Sequence, residues 1–143
     1  MAQKPRYSFT VDSLLEFADR PRSSKPRCKP GYDSDHTVEL QLVVAALNRL
    51  AKTTYSREGW ASELVDFFNE DANKRCIPRE DNRRWKRNAV AKLIRADEEL
   101  TAGEWKWIDY IKGHWDRFKN KLDALHFTRV KCSIEDILED KGE

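Results

Sequence analysis

A stripe of large apolar side chains toward the C-terminal end limits the folds open to this chain more than any other feature. Ile108, Ile111, Trp115, Phe118, Leu122 and Leu125 recur three and four residues apart. At roughly 3.6 residues per turn, that spacing lines one side of a helix. Ahead of it stand Thr101 and Glu104, the pattern of a capping box. In such a box the hydroxyl accepts from the backbone N–H three residues on, and the carboxylate accepts in return. The pattern predicts a long helix, with an apolar side that must be covered by the rest of the chain or by a second copy.

The remaining segments supply candidates for that cover. In residues 37–52, Leu40, Val43, Val44, Leu47 and Leu50 fall on one helical side. Trp60, Leu64, Phe67 and Phe68 mark another helix at 60–69, and Trp85, Val90, Leu93 and Ile94 mark one at 82–96. Residues 70–81 read as a polar loop, and 126–132 as a short strand without an obvious partner. Ser133 and Asp136 read as capping a last short helix. Near the N-terminus, Ser13 and Glu16 repeat the capping pattern before a short helix that Pro21 ends. The expected fold is mainly α, a single domain of five or six helices, with room for a short strand or hairpin near the candidate site. Residues 1–35 read as a basic helix and Pro/Ser-rich loop, and 36–143 as the helical core, within one compact unit.

Charge is nearly balanced overall, at +2, but it is unevenly placed. Residues 74–95 hold nine Lys or Arg against two acids, Glu80 and Asp81. A polyanion meets that local surplus and not the total. No run of about 18 apolar residues is present to cross a membrane. The N-terminal segment lacks the apolar centre of a signal peptide, so the chain reads as soluble and cytosolic or nuclear, or secreted if a leader has been removed. Cys28, Cys76 and Cys132 stand singly, with no CxxC pair for a structural zinc site. They read as reduced thiols, the alternative being a Cys28–Cys76 disulfide in an oxidising setting.

Two segments carry chemistry. Asp35-His36 sits where a polar loop gives way to an apolar run. An imidazole there can take a proton from water, and the adjacent carboxylate can bind a hard cation. Asp35 can equally cap a helix starting near Thr37, leaving His36 exposed in its first turn. Glu39 and Gln41 are placed to help position such a site. The second segment, EDNRRWKRNAVAK at 80–92, opens a helix with Asn82 and follows it with Arg83, Arg84, Lys86, Arg87 and Lys92. These cations suit phosphate oxygens, and a solvated basic face would look the same. His114 and His126 read as surface or boundary histidines, and Trp107 as the better exposed aromatic.

Together, Asp35-His36-Thr37-Val38 and Asn82-Arg83-Arg84-Trp85-Lys86 resemble the two halves of an HNH (His-Me finger) nuclease site. The resemblance implies a metal-dependent nuclease that hydrolyses phosphodiester bonds of nucleic acid. His36 would be the general base. Asp35 and Asn82 would hold one divalent metal, Mg²⁺ or Mn²⁺, and Arg83 and Lys86 would grip the backbone. Asn88 competes with Asn82 as the ligand. In the family a compact strand-turn-strand joins the two halves, whereas here some 46 residues that read as helical intervene. The alternative is a non-catalytic helical module that binds nucleic acid or a protein through residues 74–95. The 108–125 stripe offers a route to a homo-oligomer.

Overall fold

The computed structural model describes residues 28–50, 60–95 and 98–139. Readings on Ser13, Glu16 and Pro21 lie outside the described residues. Among the described residues, six α-helices and one two-stranded antiparallel sheet make up the fold. Strand β1 (Tyr32–His36) leads to helices α1 (Leu40–Asn48) and α2 (Trp60–Phe68). A 3-10 turn at Asp71–Asn73 then feeds strand β2 (Lys74–Pro78), which returns to pair with β1. A π-helical turn, Asp81–Lys86, runs directly into α3 (Arg87–Arg95). Three helices follow: α4 (Ala102–Phe118), α5 (Asn120–Ala124) and α6 (Thr128–Leu138).

The strands pair in the register Tyr32↔Pro78, Asp33↔Ile77, Ser34↔Cys76, Asp35↔Arg75 and His36↔Lys74. Both ends of this ladder are extended by single hydrogen bonds. At one end the Arg79 N–H donates to the Gly31 carbonyl (2.9 Å), and Gly31 takes the left-handed φ of 87° that its turn requires. At the other, the Thr37 N–H donates to the Asn73 carbonyl (2.7 Å). The buried Asn73 side chain then pins the chain entering α1. Its Oδ1 accepts from Val38 N–H at 2.9 Å, and its Nδ2 donates to the carbonyls of Val38 (3.1 Å) and Phe68 (2.9 Å). Residues 70–81, expected as a polar loop, thus hold a strand, and the boundary drawn at residue 35 falls inside β1. Asp35 and His36 end that strand and are not the first turn of a helix.

The capping box forms as its pattern predicts, with Glu104 N–H on Thr101 Oγ1 (3.2 Å) and Thr101 N–H on Glu104 Oε1 (2.9 Å). Ile108, Ile111, Trp115, Phe118 and Leu122 are all buried in the chain's own core, and Leu125 packs against it. Phe118 packs on Phe67 with ring centroids 4.4 Å apart. The stripe is thus covered within the chain and is not itself free to pair with a second subunit.

The segment expected as a strand at 126–132 is helical from Thr128 onward. Val130, Ile134, Ile137 and Leu138 recur at helical spacing and are all buried. Ser133 caps nothing. It lies inside α6 and donates to the Ala46 carbonyl at 2.9 Å, tying α6 to α1. His114 is buried, its ring stacked on Phe118 at 5.2 Å, while His126 is exposed. Trp107 packs half-buried against the core. Cys28 and Cys76 are joined in a disulfide, the alternative to the reduced thiols expected, and Cys132 is free and exposed. No helix among the described residues is long and apolar enough to cross a membrane.

Candidate nucleic-acid interface and its buried lysine

Among its described residues, the long insertion between the two halves holds α1 and α2, and it leaves and returns at one end of the β1–β2 ladder. Antiparallel pairing therefore puts His36 beside β2, and the turn carrying Asn82 follows β2 at once. Side chains two apart on a strand share a face. Asp33 and Asp35 accordingly meet the first turns of the helix that follows β2, and Asn82 and Lys86 lie four residues apart on it.

Lys86 organises this contact. Its side chain is completely buried, and its ammonium spends all three donors within the protein. Nζ donates to Asp35 Oδ2 at 2.6 Å, to Glu39 Oε1 at 2.7 Å and to the His36 carbonyl at 2.9 Å. Glu39 precedes α1 as its N-cap residue without a side-chain capping bond, because its carboxylate is on the lysine. Burial pushes the Asp35 carboxyl up to about 6, against the pull of the Lys86 ammonium and with a further push from the charge on Glu39.

Asn82 turns to a different carboxylate. Its Nδ2 donates to Asp33 Oδ2 at 3.0 Å, and Arg83 Nε reaches the same oxygen at 3.0 Å. Arg79 Nε approaches Asp33 Oδ1 at 3.4 Å. The hydrogen bond from Asn82, then those from Arg83 and Arg79, hold the Asp33 carboxyl below the usual carboxylate range. His36 is buried, with Nε2 2.8 Å from Asn69 Oδ1.

A divalent ion on Asp35 and Asn82 does not fit this arrangement. Asp35 Oδ2 carries an ammonium, and Asn82 turns its amide nitrogen, which no metal takes, toward the carboxylate of Asp33. Asn88 is exposed on α3, and the carboxylates of Asp33 and Asp35 are engaged by other residues. Lys86, expected to grip a polymer, is out of a polymer's reach. Lys92 is partly buried and donates to Glu104 at 3.0 Å.

What the surface offers is cationic and aromatic. Arg79, Arg83 and Arg84 have side chains 53%, 61% and 63% exposed, and Arg75 and Arg87 are also exposed. Trp85, expected in the core, stands out at 44% exposure, with the Arg84 guanidinium 4.7 Å from its ring centroid. Helical spacing accounts for the difference. Counting back four residues from Val90 and seven from Leu93 reaches Lys86, which faces inward to the carboxylates and leaves Trp85 outside beside Arg84.

No family model matches this chain, and neither does any curated protein or solved structure. The likeness to HNH nucleases therefore stands on the two motifs.

Asp33, Asn69 and Asn73 escape a reading of the sequence alone. A signal does exist for Asp33: read as a strand, YDSDH puts two carboxylates on one face. No comparable signal marks Asn69 or Asn73, whose partners include residues more than thirty positions away.

Proposed function

We propose that the chain binds the phosphate backbone of nucleic acid, without cleaving it, through the face built by β2, the π turn and the start of α3. The observation that carries this reading is the exposed Trp85 with the Arg84 guanidinium over its ring, in a segment that also exposes Arg79, Arg83 and Arg87. Guanidinium groups suit phosphate oxygens, and an exposed indole offers a base a surface to stack on. Asp33, shared by two arginines and Asn82, and the exposed Glu80, 3.8 Å from Arg84, neutralise only part of this charge. The Cys28–Cys76 disulfide favours an oxidising compartment over the cytosol or nucleus for this activity.

Fluorescence anisotropy with unrelated duplex and single-stranded oligonucleotides tests the reading. Changing Arg83, Arg84 and Arg87 together to Ala should weaken binding by a similar factor on every sequence. Trp85→Ala should weaken single strands more than duplex. Equal binding by wild type and the triple variant defeats the proposal.

A second reading, hydrolysis of the same backbone with His36 as base, is favoured by one observation. The strand pairing brings His36 and the Asn82 turn to one hairpin in spite of the long insertion. His36 would have to open to solvent, and Asp35 to release Lys86. This reading fails if plasmid and RNA stay intact with Mg²⁺ and with Mn²⁺, or if His36→Ala cuts as well as wild type.

A further inference from the structure

We infer that the Lys86 ammonium is the resident cation of the Asp35–Glu39 nest, so that the chain holds its own positive charge on Asp35, one of the two residues to which the nuclease resemblance assigns a divalent metal. This inference is independent of the nucleic-acid reading. It rests on the convergence of two carboxylates and one carbonyl on a single buried atom.

Three features distinguish this lysine from an ordinary ion pair. All three of its protons have acceptors within 2.9 Å, so no donor is left over for water. Its acceptors come from the last two residues of β1 and from the residue just before α1, while Lys86 itself ends the π turn. One atom therefore joins three elements, as a structural ion would. Finally, the nest holds two carboxylates, of which Glu39 is the more exposed at 22%. An ammonium leaves that pair with a residual negative charge at neutral pH, and the charge can face water at Glu39.

A divalent ion would have to displace the ammonium and leave a buried lysine without acceptors. Stranding a charge in this way is strongly unfavourable, and a single oxygen-ligand site does not readily return the loss. The carboxylates are thus presented to the protein's own cation and closed to others.

The test is a Mn²⁺ titration of the full chain, followed by electron paramagnetic resonance and by paramagnetic broadening of backbone amide signals near Asp35 and His36. The expected result is no saturable binding in the micromolar range, no selective broadening at these residues, and the same melting temperature in EDTA and in millimolar Mg²⁺. Stoichiometric Mn²⁺ binding that Asp35→Asn abolishes overturns the inference. Lys86→Ala supplies the converse. With the ammonium gone, Mn²⁺ should raise its melting temperature, and Asp35→Asn in the same chain should remove that response. If Lys86→Ala does not fold, the wild-type titration alone decides. A folded Lys86→Ala protein indifferent to Mn²⁺ also counts against the nest as a cation's place.

Discussion

Replacing Lys86 with Met keeps most of the side-chain volume and removes only the charge and its three hydrogen bonds. Asp35 is then left buried, with its ionised form lacking a partner, whereas Glu39 can turn toward water. Breaking a buried pair from one side costs about 3–5 kcal/mol, most of it the stranded charge and not the lost attraction. With a urea m-value of about 2 kcal/mol/M, the unfolding midpoint should fall by roughly 1.5–2.5 M. Adding Asp35→Asn removes the stranded charge, so the double variant should recover part of the loss. A coupling of at least about 1 kcal/mol between the two sites is expected from residues in direct contact. Urea titrations at neutral pH, followed by tryptophan fluorescence, measure all four corners of this cycle. A Lys86→Met midpoint close to that of wild type, or strictly additive losses, would refute the reasoning.

Asp35 titrates near 6 in the folded chain and near 3.8 unfolded, so the folded state keeps a proton that the unfolded chain has released between those values. Wild-type stability relative to Asp35→Asn should therefore fall as pH rises through that window, by at most about 1.4 kcal/mol per pH unit, and level off above it; a difference that rises instead means the ammonium outweighs burial. Trp115→Ala should cost about 3–5 kcal/mol, because the side chain is buried mid-stripe, and a melting temperature within a degree or two of wild type would mean the stripe is not in the core. Reducing the disulfide, which spans a separation of 48 residues, should lower stability by about 4 kcal/mol on the chain-entropy view; a Cys28→Ser/Cys76→Ser chain as stable as wild type would show that the bridge is not formed.

Periodicity makes the helical core legible. The stripe of α4, the Thr101–Glu104 box and the inward faces of α1 and α2 all depend on residues within a few turns of one another, and so they can be read locally. The hairpin cannot be read that way. Its strands are five residues each and separated by two helices, and their pairing is a long-range contact that no local pattern announces. The site depends on the hairpin. Asp35 and His36 stand out as a motif, but their partners Lys86 and Asn69 become visible only once the chain returns. Trp85 is a different case. Counting back four residues from Val90 and seven from Leu93 reaches Lys86, so helical spacing itself turns the lysine inward and leaves Trp85 outside; the expectation of a buried Trp85 follows its apolar chemistry and not its spacing. Residues 126–132 mislead for a simpler reason. Their helical face is completed only by Ile134, Ile137 and Leu138, which lie beyond that stretch.

The salt dependence of nucleic-acid binding tests the proposed function most directly, because it counts the phosphates that the arginines neutralise. Binding of one duplex by wild type and by the Arg83→Ala/Arg84→Ala/Arg87→Ala variant should be followed across a range of salt concentrations. For wild type, the logarithm of the association constant should fall linearly with that of salt concentration. The variant's line should be shallower by about 0.9 for each phosphate no longer neutralised, up to roughly 2.7 for three. Binding indifferent to salt, or lines of equal slope for the two proteins, would contradict a phosphate-binding face at these arginines.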